Sequence, residues 1–227
     1  MMTSKETVLR KLKSLGSAKD RAGMVRFGIE TKNAFGISVY VLRALAKDMG
    51  TNHALALQLW ESGIHEAQLL ASFIDDPKKV TVHQMEKWAK DFDSWDVCDQ
   101  CCGFLFDKTA FAETKAVEWS KRKEEFVKRA GFVLMAALSV HDKEAKDEMF
   151  LKFFPIIQRE SLDERNFVKK AVNWALRQIG KRNPELNKRA IALGKKIGQL
   201  DSKTAKWIAA DALRELTSKK VQQRLKK

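Results

Sequence analysis

Residues 126–130, Phe-Val-Lys-Arg-Ala, recur 41 residues later as Phe-Val-Lys-Lys-Ala at 167–171. A second match keeps the same order, because Trp-Ala-Leu-Arg at 174–177 recurs 37 residues later as Asp-Ala-Leu-Arg at 211–214. Repeats of about 40 residues, each built from a helix pair, are typical of solenoids that stack their repeats around one core. The alternative is a chance match between amphipathic helices, whose patterns are similar.

The composition favours helices along the whole chain. Its 227 residues include only three prolines and one tyrosine, and the alternation of β-branched and polar residues that strands need is nowhere sustained. We therefore predict an all-α fold, a HEAT-like helical-repeat solenoid that forms a single domain over residues 1–227. Thr3 and Glu6 have the spacing of a capping box for the first helix. Predicted helices lie near 4–15, 18–27, 38–49, 53–62, 64–74, 81–91, 94–106, 111–120, 124–141, 146–160, 164–181, 185–199 and 202–218.

The charge of the chain is unevenly distributed. Residues 1–120 contain 16 basic and 16 acidic residues, whereas residues 121–227 contain 27 and 13, which accounts for the whole net charge of +14. Stacked repeats would align the repeated basic residues into a column on a concave basic face. Nucleic acid is the commonest polyanion that such a face binds. The expected column consists of Lys128, Arg129, Lys169, Lys170 and Lys206.

Several other classes of protein are disfavoured by the sequence. No apolar run reaches the roughly 20 residues of a membrane span, and residues 1–13 lack the apolar stretch of a signal peptide. The three cysteines, Cys98, Cys101 and Cys102, have no second pair of metal ligands, so we interpret them as core thiols of a reduced, cytoplasmic protein. We expect no metal and no cofactor.

Residues 94–99, Ser-Trp-Asp-Val-Cys-Asp, open a predicted helix and combine an indole with carboxylates. Trp95 and Asp99 are four residues apart and share one helix face. Asp96 lies about 100° round the helix from Trp95 and is expected to point off that face. The alternative is structural, since acids near a helix N-terminus favour the dipole and an indole can simply pack.

A second tryptophan, Trp174, falls at the edge of the apolar stripe of its helix. Lys170 precedes it by four residues and Arg177 follows it by three. An indole between two cations suits stacking on a sugar or base beside phosphates. The alternative is packing at the edge of an amphipathic helix.

Lys128 and Arg129 are the only charged residues in the segment 126–140, which is apolar almost all round. A guanidinium on a mostly buried helix needs a fixed partner. That partner is either an internal acid or a phosphate oxygen.

With these features assembled, the chain resembles the AlkD-type DNA alkylation repair glycosylases, a HEAT-like family, over nearly its whole length. The order and spacing of the matching segments make the resemblance specific. The segments are Met24-Val25-Arg26-Phe27, Gly36-Ile37 with Arg43, residues 94–99, Lys128-Arg129-Ala130, and residues 171–177 leading into Asn183-Pro184.

The resemblance implies a cofactor-free enzyme that removes N3- and N7-alkylated purines from double-stranded DNA as a monomer. It implies that Trp95 and Trp174 flank the deoxyribose of the damaged nucleotide, and that Asp99 is the catalytic carboxylate. Phe27 stands where the family often has tyrosine, so the phenolic hydroxyl is missing here. The expected DNA-contacting residues are Arg129, Lys128, Lys170, Arg177, Arg43 and Phe27.

Two other functions remain open at this point. A non-catalytic HEAT-like protein that binds damaged or branched DNA would share the basic face, since fold alone does not establish chemistry. A solenoid that binds proteins would instead have an apolar inner face, which the charge distribution disfavours.

Overall fold

The computed structural model describes residues 4–226. Over these residues the chain forms fourteen α-helices and two short 3-10 turns, with no strand, so the all-α prediction is confirmed. The chain divides into two compact units, Met1–Thr109 and Ala110–Lys227. Thr3 of the predicted capping box lies outside the described residues. The first helix is capped by Ser4, whose side chain accepts a hydrogen bond from the Thr7 N–H.

The first unit is built around a helix that is buried over most of its length, α5. Its neighbours α3, α4 and α7 pack directly against it. Trp60 and Trp88 stack with ring centroids 3.9 Å apart in the core of this unit. Short 3-10 turns at Val25–Phe27 and Phe106–Lys108 complete it. The helices are α1 Lys5–Leu15, α2 Ala18–Met24, α3 Val39–Met49, α4 His53–Trp60, α5 His65–Ile74, α6 Val82–Lys90 and α7 Trp95–Phe104.

The second unit is centred on α9, which packs against α8 and α11. Gly131 allows the close approach of α8, because a Cβ at this position would lie 2.6 Å from the backbone nitrogen of Ser120. The last helix, α14, was not predicted from the sequence. The helices are α8 Ala112–Trp119, α9 Glu125–His141, α10 Asp147–Glu160, α11 Asn166–Gly180, α12 Pro184–Gly198, α13 Lys203–Leu216 and α14 Lys219–Leu225.

Equivalent positions of the sequence repeat are in contact in the second unit. The rings of Phe126 and Phe167, the first residues of the repeated segments, lie 5.3 Å apart between α9 and α11. At the opposite ends of the same two helices, Arg182, just after α11, donates to the carbonyl of Ser139 in the last turn of α9 at 3.1 Å. Helices α9 and α11 therefore run in the same direction, as successive repeats of a helical solenoid do.

None of the helices in residues 4–226 is both long and apolar enough to cross a membrane. The thiols of Cys98, Cys101 and Cys102 are buried on α7 and are not joined in disulfides. Burial raises the pKa of the Cys101 and Cys102 thiols well above its ordinary value, so both are protonated near neutral pH.

Candidate active site

Helix α7 begins at Trp95 and presents this indole and the Asp99 carboxylate one turn apart. The Trp95 Nε1–H donates a hydrogen bond of 2.9 Å to the carbonyl of Phe27, which fixes the plane of the indole. Both side chains remain partly exposed. The face predicted from the spacing of these residues is therefore open at the N-terminal end of α7.

The other acid of this segment points away from that face. The Asp96 carboxylate bonds to the His65 Nε2 at 2.9 Å and accepts from the Ser94 hydroxyl at 2.8 Å. Burial opposes the charged form of Asp96, but the hydrogen bonds from His65 and Ser94 outweigh it and lower the pKa of the carboxyl. The prediction that Asp96 points off the Trp95–Asp99 face is confirmed.

The histidine of this pair is itself buried beside several acids. Burial tends to lower the pKa of His65, but the hydrogen bond to Asp96 and the charges of Asp96, Glu66 and Asp93 raise it overall. The backbone N–H of His65 also donates to the Asn33 carbonyl at 3.0 Å. His65 thus connects the start of α5 to both the start of α7 and the loop before α3.

That loop, residues 28–38, is held by a carboxylate with no exposed surface. Glu66 accepts hydrogen bonds from the N–H groups of Phe35, Gly36 and Ile37 at 2.8, 2.7 and 3.2 Å. Gly36 has a φ of +82°, and a Cβ there would lie 2.3 Å from the carbonyl oxygen of Ser17. The loop therefore has one well-defined path between α2 and α3.

Phe27 lies where this loop begins, and its side chain is 66% exposed. The Phe27 carbonyl accepts the hydrogen bond from the Trp95 indole, which places Phe27 beside α7. The exposed Phe27 ring is not packed in the core. An exposed phenyl ring is available for contact with a ligand.

Arg43 has internal partners within the first unit. Its Nη2 donates to the Gln100 Oε1 at 2.8 Å, and its guanidinium lies 4.4 Å from the Phe104 ring centroid. Gln100 follows Asp99 on α7, so Arg43 joins α3 to the helix that carries the carboxylate. Its predicted contact with DNA stays a prediction.

In the second unit, Arg129 is buried, with 6% of its surface exposed. Its Nη1 donates to the Phe167 carbonyl at 2.6 Å, in the first turn of α11. The fixed partner expected for the Arg129 guanidinium is thus, at least in part, a backbone carbonyl. A role of Arg129 in holding a DNA phosphate stays a prediction.

Lys128 is bound by two acids that the sequence analysis did not identify. Its Nζ lies 2.6 Å from Glu160 and 3.3 Å from Asp163, and its side chain is 12% exposed. Burial favours the neutral form of Asp163, but hydrogen bonds from Arg165 and Lys128 lower the pKa of its carboxyl. The geometry favours a structural role for Lys128, and its predicted contact with DNA is untested.

Trp174 is partly exposed on α11, between the two cations predicted beside it. Lys170 is exposed and has no ion-pair partner among the described residues. Arg177 bonds to acids of α13, with its Nη1 3.3 Å from Asp211 and 2.9 Å from Glu215. Lys170 is therefore the cation beside Trp174 that is available to a phosphate.

The cations of the expected basic column have different partners. Lys206 pairs with Asp201 at 3.3 Å on the surface, and the Lys169 Nζ lies 5.5 Å from the Trp207 ring centroid. Lys128 is held by acids at the end of α10 and in the following turn. The alignment of these cations into a DNA-binding column stays a prediction.

The residues missed by sequence reasoning share one property. Each contacts a partner about 30 or more residues away, such as His65 with Asp96 and Glu66 with the loop. No local spacing signals such pairs.

No group of three His, Cys, Asp or Glu residues within 4–226 is arranged to hold a metal.

The fold and the residues on α7 and α11 define a helical-repeat protein with an indole–carboxylate face and an indole beside a lysine. A family model described as DNA alkylation repair enzyme matches residues 8–216. The chain belongs to this family.

A solved structure with TM-score 0.78 is similar over 97% of this chain and 95% of the other, at 19% identity. It is described as a new family of proteins related to the HEAT-like repeat DNA glycosylases with affinity for branched DNA structures. The HEAT-like fold predicted from the repeat is thereby confirmed.

An engineered protein matches at 14% identity and TM-score 0.39, covering 92% of this chain and 98% of the other, a score too low to indicate a shared fold. Among curated proteins, none matches the chain by sequence.

Proposed function

We propose that the protein is a monofunctional DNA glycosylase that excises cationic N3- and N7-alkylated purines from duplex DNA. The observation that carries the proposal is the face of α7, where the Asp99 carboxylate and the fixed indole of Trp95 lie one turn apart and partly exposed. Membership of the DNA alkylation repair enzyme family supports it. A monomer acting in the cytoplasm stays a prediction.

The chemistry follows from the charge of the lesion. A purine alkylated at N3 or N7 is already cationic, so the C1′–N bond breaks with both electrons going to the base, which leaves neutral. The sugar becomes an oxocarbenium-like cation, water adds at C1′, and one proton is released to solvent. No general acid is needed to protonate the leaving base.

Asp99 supplies the main stabilisation in this proposal. A carboxylate about 4 Å from the developing cation, at an effective dielectric near 20, contributes about 4 kcal/mol, or roughly a thousandfold in rate. Indole faces contribute about 0.5–2 kcal/mol each through cation–π attraction. Trp95 and Trp174 are therefore proposed to contact the sugar in secondary roles, with Lys170 on a neighbouring phosphate.

The decisive assay is release of free base from duplex DNA containing N7-methylguanine. We expect Asp99→Asn to reduce the single-turnover rate by about a thousandfold while leaving duplex affinity nearly unchanged. Asp48→Asn is the matched control, because Asp48 is an exposed acid on α3 of the same unit. Equal rates for Asp99→Asn and the wild type would contradict the catalytic role of Asp99.

A second function, binding of branched DNA without catalysis, is favoured by one observation. The solved structure with the same fold is described as belonging to a family with affinity for branched DNA. In that case the wild type would bind a four-way junction more tightly than a linear duplex and would release no base from the alkylated duplex. The same two measurements on the wild type therefore separate the two functions.

A further inference from the structure

The C-terminal helix α14 forms a wall of two neighbouring surface cavities in the second unit. One cavity, of about 730 Å³, lies at the ends of α9 and α11, and the other, of about 560 Å³, lies between α12 and α14. Pro184 and Leu225 line both cavities, so the two are adjacent. We call this surface the α12–α14 groove.

The lining of the α12–α14 groove is strongly basic. Its only acid is Asp147, whose carboxylate accepts hydrogen bonds of 2.8 and 3.0 Å from the Asn183 side chain. The first cavity contributes the cations Lys143, Lys181, Arg182 and Arg224. The second contributes Lys188, Lys195 and Lys226.

The two arginines build the walls of the groove. Arg182 donates to the carbonyls of Ser139 and Ala145 at 3.1 and 2.8 Å, and its guanidinium lies 4.6 Å from the Phe150 ring centroid. Arg224 donates to the Lys181 carbonyl at 2.6 Å, which docks α14 against the end of α11. Because these guanidiniums hold backbone carbonyls, the shape of the groove is fixed without a ligand.

The three lysines of the second cavity are available to a ligand. Lys188, Lys195 and Lys226 are exposed, and none has an ion-pair partner within residues 4–226. Lys188 and Lys195 are two turns apart on one face of α12, separated by about 10 Å. That separation is about the rise of three nucleotides along a DNA strand, at 3.4 Å each.

The groove is separate from the residues assigned to base excision. Lys170 lies about 15 Å along α11 from Gly180, the helix end that Arg182 follows by two residues, since these ten residues rise about 1.5 Å each. The family match ends at residue 216, whereas α14 begins at Lys219. One wall of the groove is therefore outside the part of the chain that the family model matches.

We propose that the α12–α14 groove is a second contact surface for the phosphate backbone of duplex DNA, separate from the residues that act on the damaged nucleotide. Lysine side chains are compact point charges that bind phosphates without reading sequence. Each such contact releases a counterion and steepens the salt dependence of binding. The proposal goes beyond base excision and does not depend on it.

The test compares two triple variants that remove the same charge. The groove variant is Lys188→Ala/Lys195→Ala/Lys226→Ala. The control is Lys78→Ala/Lys79→Ala/Lys90→Ala, which removes three exposed lysines of the first unit. The affinity of a short undamaged duplex is measured at several salt concentrations, and the slope of log K against log salt is compared with that of the wild type.

We expect the slope to become shallower by about 2 to 3 in the groove variant, close to 0.9 per lost contact, and to change little in the control. An unchanged slope in the groove variant, or an equal change in both variants, would overturn the proposal. Glutamine versions of the three lysines, with unfolding midpoints measured beside the wild type, guard against an effect of folding.

Two further measurements give the proposal its specificity. Adding Lys170→Ala to the groove variant should change the slope additively, because distant contacts are independent; a non-additive change would show one shared surface. If the groove variant lost binding to vesicles of anionic phospholipid but kept its duplex slope, the partner would be a membrane surface and the proposal wrong. Because the duplex is undamaged, a failure to observe base release would leave this result standing.

Discussion

At the scale of single residues, neighbouring cations in this chain have different roles that the sequence does not distinguish. Lys128 and Lys170 stand in similar segments of the repeat, one turn into parallel helices. Lys128 is held by Glu160 and Asp163, whereas Lys170 is exposed and unpaired among residues 4–226. The difference arises because acids at the end of α10 and in the following turn lie beside α9.

This difference predicts opposite consequences of removing each lysine. Lys128→Met leaves two largely buried carboxylates without their shared cation and should lower the free energy of unfolding by about 2–4 kcal/mol. This loss is smaller than the roughly 3–5 kcal/mol typical of breaking a buried ion pair, because Arg159 and Arg165 still pair with these acids. Urea unfolding measures the change.

Lys170→Ala should leave stability within about 0.5 kcal/mol of the wild type but weaken duplex binding, with a salt slope shallower by about 0.9. Binding isotherms at several salt concentrations test this. If Lys170→Ala left the slope unchanged while Lys128→Met reduced it, the assignment of the two roles would be reversed.

At the scale of elements, the loop between α2 and α3 depends on a single buried carboxylate. The three N–H groups of Phe35, Gly36 and Ile37 all donate to Glu66. In Glu66→Gln the amide NH₂ would face at least one of these donors, so one or two hydrogen bonds are lost without solvent to replace them. We expect a loss of about 2–4 kcal/mol in the free energy of unfolding.

The same substitution should also slow base release, because the loop directly follows Phe27, whose carbonyl fixes Trp95. Glu61→Gln is a matched control, as Glu61 is an exposed acid just before α5. Chemical denaturation and the N7-methylguanine assay, run on both variants, measure the two effects. A Glu66→Gln protein as stable as the control would refute the anchoring role.

The His65–Asp96 pair joins α5 to α7 and gives that junction a defined dependence on pH. The pKa of His65 is raised above 6.5 on folding, so its contribution is fully present below about pH 6.5 and is lost as the pH rises through the raised value. The pKa of Asp96 is lowered below 3.8, so its contribution is lost only as the pH falls through that lowered value. The pair is therefore strongest between about pH 4 and pH 6.5.

Asp96→Asn should consequently destabilise the protein more at about pH 6 than at a pH above the raised pKa of His65. Other charges near His65 are Glu66, Asp93, and the Glu30 and Lys32 side chains around the same small cavity. Unfolding free energies of the wild type and Asp96→Asn at the two pH values provide the test. An equal loss at both would show that His65 does not titrate with this partner.

Much of the helical framework follows from local patterns in the sequence. Apolar periodicity placed the helices from α1 to α13 close to their observed limits. Helix α14 escaped prediction because only Val221 of its seven residues is buried, so it has no apolar stripe. Packing against α12 and α13 stabilises it instead, which local periodicity does not encode.

In the candidate site, too, the features set by local spacing were predictable from the sequence, and those set by the tertiary fold were not. The Trp95–Asp99 face depends on a spacing of four residues and could be read from the sequence, as could the exclusion of Asp96 from it. The partners of Asp96 and Lys128 lie 31 and 32 residues away, so only the tertiary fold brings them together. Local spacing in the sequence therefore carries no signal for these two partners.

At the scale of the whole molecule, the excess of basic residues beyond residue 120 still indicates a surface for a polyanion after the internal ion pairs are taken into account. Lys128, Arg177 and Lys181 of the second unit are all paired with acids of the same unit. The surplus of basic residues beyond 120 is carried instead by exposed lysines such as Lys170, Lys188 and Lys195. Exposed cations attract a polyanion at long range and make its binding sensitive to salt.

The base-excision chemistry that we propose for this protein predicts a restriction to cationic lesions, with little discrimination by adduct size. Of the two acids in the 94–99 segment, Asp96 is bonded to His65, and only Asp99 shares the open face with Trp95. A neutral base needs protonation to leave, and neither Asp96 nor the buried His65 is placed to provide it from that face.

Enzymes that flip a base into a closed pocket recover the unstacking energy from contacts to the base edge. An enzyme that contacts the sugar instead does not need such a pocket. Bulky N3-alkyladenine should thus be released about as readily as N7-methylguanine, whereas hypoxanthine should not be released. A side-by-side excision assay on matched duplexes tests both the release of the bulky adduct and the retention of hypoxanthine. Efficient hypoxanthine release would require an acid that this face lacks, and loss of activity on the bulky cationic adduct would show that the base enters a size-limited pocket.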